Sequence, residues 1–376
     1  MTTTRTLPGS VREPLLSVAF EVGGKSWKLG MTSGFGTRPW VTSVVAGDWA
    51  AVRRVLVRAK ARFGLSATAP VVSCYEAGRD GFWIHRALIG EGIGNRVVDS
   101  ASIEVNRRAR RAKTDRLDAR KLVLMLVRVL LGEEGVWREV HVPSTADEAA
   151  RHRSRERTQL VQDRTRLINQ MRSWLATWGA RLPARRGAGW WTAVRDWAGV
   201  PLPGEVQARL ARAEARLAVI ATQLTELAGA QAAAAKCAPA ASAQGRLVRL
   251  KGIAATGASV LLEEGLVWRG FRNRREVGGM LGFGPLPYQS GEQARDQGID
   301  RAGNRRWRAI SIQLAWNWVQ WQPTSVLAQW YRRRFGGGGA RLRRVGIVAV
   351  ARKLLIALWR YATTGQVPAG AILKTA

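Results

Sequence analysis

Two cysteines, Cys74 and Cys237, and three histidines, His85, His141 and His152, are spread over 376 residues. Two thiols cannot build a four-thiolate zinc site, and the scattered histidines do not complete a mixed one. A disulfide scaffold and a zinc-finger array are therefore excluded, and the low count fits a reducing cytosol. Acids are also scarce: 27 Asp and Glu stand against 60 Lys and Arg, a net charge of +33. Long apolar runs are missing. Residues 309–331 carry no charge over 23 positions, but Gln313, Asn317, Gln320, Gln322, Pro323 and Gln329 make them too polar to span a membrane. The opening MTTTRTLPGSVREPLL has no apolar core behind a charged start, so no secretion signal is expected.

What is present points to a folded, nucleic-acid-binding chain. Hydrophobic residues make up 46%, and the length suits two or three domains. A folded protein this basic repels itself unless it meets a polyanion. Arg supplies 51 of the basic residues and Lys only nine; the planar Arg fork suits phosphate, although GC-rich coding inflates Arg as well.

The pattern changes along the chain. Residues 15–22 (LLSVAFEV) read as a buried strand closed by Gly23 and Gly24, with 26–31 and 40–45 as hairpin partners. Helical spacing follows at 48–63, a β-branched run at 71–75, a helix at 81–90 and a strand at 95–98. This order predicts an α/β N-terminal domain, a mixed sheet covered by helices. Residues 113–131 turn helical, and Ser144 to Asp147 form a capping box before a long helix with a seven-residue rhythm through Leu160, Leu167, Met171, Trp174 and Trp178. After Pro203 and Gly204, the positions Val206, Leu210, Ala213, Leu217, Ile220, Leu224 and Leu227 step by four and three, the seam of a coiled-coil arm or of a bundle helix. An Ala-rich stretch, 230–245, reads as a low-complexity linker. A mainly α C-terminal domain follows. The expected division is 10–143, 144–240 for the arms and linker, 241–335, and 336–376 for a Gly break and a basic helix packed back on the third unit.

The few acids are informative. Asp115 and Asp118, two of ten Asp, lie together in KTDRLDARKL, and their i, i+3 spacing puts both on one helix face. Glu21 and Glu76 end predicted strands, where an α/β sheet presents groups to a site. Four converging carboxylates would bind Mg²⁺ or Mn²⁺ and act on a phosphodiester. The plainer alternative pairs Asp115 and Asp118 with Arg107, Arg108, Arg110, Arg111, Lys113 and Arg116 as surface ion pairs. Further along, KGIAATG is a Gly-bearing turn between helices, and GGMLGFGPLPYQSGEQARDQGIDRAGNRRWRA reads as an irregular, backbone-constrained loop. Ser290 stands there between Gln289 and Gly291, among arginines that could stabilise charge at an attacked phosphate. Trp190, Trp191 and Trp307 interleave with basic residues and would either stack on bases or sit in a core.

VAFEVGGKSWKL, CYEAGRDGFW and KTDRLDARKL, in this order, resemble the acidic motifs of the DEDD transposases of the insertion-sequence-110 family. GFGPLPYQSG and GIDRAGNRR are similar to that family's serine segment and basic Gly-Asn loop. The resemblance implies a RuvC-like (RNase H-like) domain with Glu21, Glu76, Asp115 and Asp118 as catalytic metal ligands. Glu21 stands where the family pattern has Asp. Ser290 is matched to the nucleophile that links covalently to DNA at a 5′ phosphate. It further implies donor and target duplex DNA, a structured bridge RNA as guide, assembly as dimers and tetramers, and a site in the bacterial cytoplasm near the nucleoid. Nucleic-acid contacts are expected from Arg107, Arg108, Arg110, Arg111, Lys113, Lys251, Arg295, Arg301, Asn304, Arg305 and Arg306. Two other readings remain open: a RuvC-like nuclease without serine chemistry, and a nucleic-acid-binding scaffold without activity.

Overall fold

A computed structural model describes residues 14–103, 115–290, 293–299 and 303–374, with the backbone alone at 285–290 and 293–297. Arg107, Arg108, Arg110, Arg111, Lys113 and Arg301 lie outside the described residues. The chain divides into two compact units, Met1–Val142 and Pro143–Ala376.

The first unit is a five-stranded sheet of order β3-β2-β1-β4-β5. Its strands are β1 (Leu16–Val22), β2 (Ser26–Thr32), β3 (Trp40–Val45), β4 (Val71–Glu76) and β5 (Gly94–Val98). The first three form an antiparallel meander, and β4 and β5 run parallel to β1. Alternation along β1 decides what each face meets. Leu16, Val18 and Phe20 enter one core with residues of α1 (Trp49–Arg62) and α2 (Trp83–Gly90), including Val52, Leu56, Ile84 and Leu88. Ala19 and Cys74 enter the other, under Leu122, Val123 and Leu126 of α3 (Asp115–Leu130). Glycine permits that close packing: a Cβ on Gly30 would lie 2.5 Å from the carbonyl oxygen of Ala119. The mixed α/β sheet is compatible with the RuvC-like expectation.

The second unit opens with α4 (Thr145–Ala176), whose N-cap Ser144 accepts from the Asp147 amide at 3.1 Å as the capping pattern anticipates. The chain passes a short 3-10 turn at Trp190–Ala193 and returns in α5 (Gly204–Cys237). Leu167, Met171 and Leu175 pack with Leu210, Ala213 and Leu217. Trp190 is buried in this cluster, so the core alternative holds for it. The Ala-rich stretch is not a plain linker: α5 runs through its first half to Cys237, as expected of the strongest helix former, and breaks only before Pro239.

The remaining elements are α6 (Ala243–Arg249), α7 (Ala255–Glu263), α8 (Arg274–Gly279), β6 (Pro285–Ser290), β7 (Gln293–Ile299), α9 (Arg305–Trp321), α10 (Val326–Phe335) and α11 (Ala340–Thr364). Their helices share one core that includes Leu261, Trp307, Leu314, Trp318, Val350, Leu354 and Leu358. The basic C-terminal helix thus packs where the sequence placed it. Trp307 is fully buried and donates Nε1–H to the Leu261 carbonyl, so it too is a core residue. The segment read as an irregular loop is instead an antiparallel β6–β7 hairpin. Its two prolines masked the strand pattern, since they sit beside a register irregularity between Pro285 and Pro287. Among the described residues no helix is long and apolar enough to cross a membrane.

Candidate active site

Glu21 follows Ala19 by two residues on β1, and Glu76 follows Cys74 by two on β4, so both point to the face that α3 covers. The parallel register aligns Phe20 with Tyr75, which puts the two glutamates on neighbouring strands one step beyond the last registered pair. Glu21 is half-buried and stands opposite Lys28 in the β1–β2 backbone register; Glu76 is exposed. They line a cleft of about 450 Å³ that also takes in Gly24, Arg79 and Asp80. The Tyr75 hydroxyl donates to the Gly81 carbonyl at 2.9 Å and pins the loop carrying Arg79 and Asp80. Asp80 is a carboxylate of this cleft that sequence reasoning passed over, although it lies four residues beyond Glu76. It is ion-paired with Arg79 at 3.4 Å.

Asp115 and Asp118 occupy the first turn of α3, where negative side chains favour the helix dipole. Ala119 of that helix packs on Gly30, which is paired with Ala19, while Leu122 lies against Cys74, whose thiol approaches its carbonyl at 3.9 Å. Both contacts lie level with Ala19, midway along β1, and the cleft at the strand ends is lined by Glu21 and Glu76 but not by Asp115 or Asp118. Asp115 is exposed and Asp118 half-buried. The all-carboxylate donor set suits a hard divalent cation. Among the described residues, no three Asp, Glu, His or Cys side chains stand together as a metal-holding group. Cys74 is fully buried, and desolvation pushes its thiol far above the ordinary range, so it supplies no thiolate here.

The second unit holds the other candidates. Ser290 is the last residue of β6 and pairs with Gln293; Tyr288 pairs with Arg295. The base of this hairpin is fixed by close backbone approach. A Cβ on Gly303 would collide with both the Gly282 nitrogen and the Met280 oxygen, and the Asn304 backbone amide donates to the Met280 carbonyl at 2.6 Å. The Asn304 side chain accepts from the amides of Arg306 and Trp307, at 2.9 and 3.2 Å, and caps α9. Its Nδ2 donates to Glu264 Oε2 at 3.0 Å. The amide expected to meet nucleic acid is thus engaged inside the fold. Arg305 and Lys251 are exposed, and Arg306 is partly so. Glu264, fully buried, was missed by sequence reasoning, although an acid pair inside the apolar LLEEGLVW was the available signal.

Residues 244–330 match the Transposase IS116/IS110/IS902 family, and residues 53–178 match a DEDD transposase family of the same insertion-sequence group. A Sinorhizobium fredii (strain NBRC 101917 / NGR234) protein carrying the transposase name y4rJ is 37% identical over 386 residues, covering 98% of this chain and 97% of the relative. The chain belongs to the insertion-sequence-110 family of transposases. A second transposase-named protein of that strain, y4qE, is 26% identical over 345 residues, 85% of this chain and 80% of its own length. As a member of a transposase family the chain has DNA as its substrate class. The two family matches fall on either side of α5, so the carboxylates Glu76, Asp115 and Asp118 lie in the first match and Ser290 and Asn304 in the second.

Proposed function

We propose that this transposase cuts and rejoins DNA through Ser290 and a divalent-metal site held by Glu21, Glu76, Asp115 and Asp118. The observation that supports the reading is the placement of Glu21 and Glu76 on neighbouring strands, pointing to the sheet face covered by α3, the helix whose first turn carries Asp115 and Asp118. Mg²⁺ or Mn²⁺ held there would stabilise charge at a scissile phosphate. Ser290 forms a phosphoester bond to the scissile phosphorus, the bond from phosphorus to the 3′ oxygen breaks, and that oxygen leaves as a hydroxyl after taking up a proton. The 5′ phosphate stays on the serine until a 3′ hydroxyl of a second strand displaces it. The hairpin supports this role: its base is locked by Gly303 and Asn304 while Ser290 stands at the far end of β6. A structured bridge RNA pairing with donor and target duplexes, coiled-coil arms formed by α4 and α5, and a dimer or tetramer that completes the site belong to the same reading.

The test is incubation of the purified protein and its co-purifying RNA with element-end duplex DNA and Mg²⁺, followed by a denaturing gel. A covalent adduct lost in Ser290→Ala and in Asp115→Ala is the expected result. Cleavage that persists in Ser290→Ala but not in Asp115→Ala would replace the proposal with a metal-dependent nuclease. Binding without any strand scission would leave a scaffold.

A further inference from the structure

Around Trp268 the described residues of the second unit gather more positive charge than they neutralise. The guanidinium of Arg269 lies 4.8 Å from the Trp268 ring centroid and that of Arg151, from α4, 5.5 Å from it. Arg306, on the first turn of α9, reaches Glu264 with Nε at 3.8 Å. Arg155 lies one turn beyond Arg151 on α4. The buried counter-charge is Glu264, and its oxygens already serve neutral donors: Ser154 Oγ at 2.9 Å and Asn304 Nδ2 at 3.0 Å. Arg269 Nε is bound to the backbone carbonyl of Glu264, not to its carboxylate. Glu263 is taken by Arg153 at 3.3 Å, and Glu148 acts on Arg151 from the rim. Among the described residues, five arginines thus face three acids. Among the described residues the buried Nε atoms of Arg151, Arg155 and Arg306 donate no hydrogen bond. Burial, and next the neighbouring Arg155, lowers the Arg151 guanidinium; burial, and next Arg151, brings Arg269 down to about 10.

We propose that Arg151, Arg155, Arg269 and Arg306 form a seat for one backbone phosphate of a bound nucleic acid. A phosphodiester supplies what the cluster lacks, a negative charge with acceptor oxygens on several sides, and guanidinium forks match it. The N-terminus of α9, capped by Asn304 beside the seat, adds favourable partial charge. Its position gives the seat a purpose. Arg306 lies just past the pinned base of the β6–β7 hairpin, and Arg151 and Arg155 belong to the long arm helix α4. A strand held there is fixed in register against the hairpin that ends in Ser290. The inference rests on the nucleic-acid part of the transposase reading and not on the serine chemistry.

The test is salt-dependent binding of the full chain to two labelled probes, a duplex DNA and a structured RNA. Neutralising one phosphate contact removes about 0.9 from the slope of log affinity against log salt for B-DNA. Arg151→Gln and Arg269→Gln are each expected to lower that slope by about one contact and to weaken binding three- to tenfold. Without nucleic acid, both variants should unfold at the same or a higher urea concentration than the wild type, because repulsion is relieved. If Arg269→Gln loses stability, Arg155→Gln carries the same test. Arg216→Gln, an exposed change on α5, is the control for charge alone. Loss with only one probe identifies DNA or RNA as the source of the phosphate. Unchanged slopes for both probes, or an equal loss in Arg216→Gln, overturn the seat. A slope change without a Ser290 adduct upholds the seat and sinks the serine reading; an adduct with unchanged slopes does the reverse. A wild type that binds neither probe overturns both.

Discussion

Asn304 Nδ2 donates to the buried carboxylate of Glu264 at 3.0 Å while Asn304 Oδ1 accepts from the first amides of α9. One side chain therefore satisfies a helix start and a buried charge at the base of the hairpin that carries Ser290. Asn304→Ala removes both. A lost cap costs about 1 kcal/mol. A buried acceptor left short of a donor costs about 1–3 kcal/mol more. Urea unfolding of the full chain should show a loss of about 2–4 kcal/mol, the sum of those two costs. Asn304→Asp keeps the cap but sets a second carboxylate against Glu264 and should be no better. A change below about 0.5 kcal/mol in Asn304→Ala would mean that neither bond bears on stability.

Glu263 gives the fold a pH dependence with a definite sign. Burial, its largest influence, raises the Glu263 carboxyl above its ordinary 4.5, against the opposing pull of Arg153. A raised folded value means that the proton binds more tightly in the folded chain. The stabilising contribution is complete below 4.5 and is lost as pH rises through the raised value. Glu263→Gln does not titrate. The difference in unfolding free energy between wild type and variant should therefore shift against the wild type as pH climbs above 4.5, then level off. A difference that stays flat from pH 4 to pH 8 contradicts this account.

Two glycines should respond in opposite directions. Gly30 lies under α3, where a Cβ would sit 2.5 Å from the Ala119 carbonyl oxygen, an atom that cannot move without moving the helix. Gly30→Ala should destabilise by about 1–3 kcal/mol, the usual cost of overpacking. It should also impair Mg²⁺-dependent cleavage, because α3 carries Asp115 and Asp118. Gly229 is exposed in α5 with nothing within 4 Å of its added Cβ. Gly229→Ala should stabilise by about 0.5–1 kcal/mol through helix propensity alone. Thermal unfolding of the two variants checks both signs.

The elements of the first unit were legible because each is a local signal of ordinary kind. LLSVAFEV alternates between two cores, and the spacing at 48–63 repeats with the helix period. Glu21, Glu76, Asp115 and Asp118 stood out because acids are rare in this chain. Other features needed three dimensions. The β6–β7 pairing is hidden by Pro285, Pro287 and scattered glycines, whose local chemistry argues for a loop. Asp80 reads as half of an Arg-Asp pair until the strand ends bring it to the cleft with Glu21. Glu264 is explained by partners far away in the chain, Ser154, 110 residues earlier, and Asn304, 40 residues later, together with Arg306. The Ala-rich segment misled for the opposite reason: its low complexity resembles a linker, while alanine itself favours helix.

Glu21 offers the sharpest test of the acidic site. It is the penultimate residue of β1, is half-buried, and lines the cleft with Glu76 and Asp80. The resemblance of VAFEVGGKSWKL to the family's first acidic motif sets an Asp against this position, one methylene shorter, which would move the carboxylate by about 1.3–1.5 Å. If Glu21 holds a cation, its charge matters more than its packing. Glu21→Gln preserves shape and should slow Mg²⁺-dependent cleavage of element-end DNA by about 10²–10³-fold, the size of losing one electrostatic contact to a reacting centre. Its unfolding midpoint should remain near that of the wild type. On that resemblance, Glu21→Asp should cut DNA at least as well as the wild type. Mn²⁺, which tolerates looser geometry than Mg²⁺, should narrow the gap between the two acids and leave Glu21→Gln impaired. Cleavage by Glu21→Gln at the wild-type rate would remove Glu21 from the metal site and leave the cleft to Glu76 and Asp80.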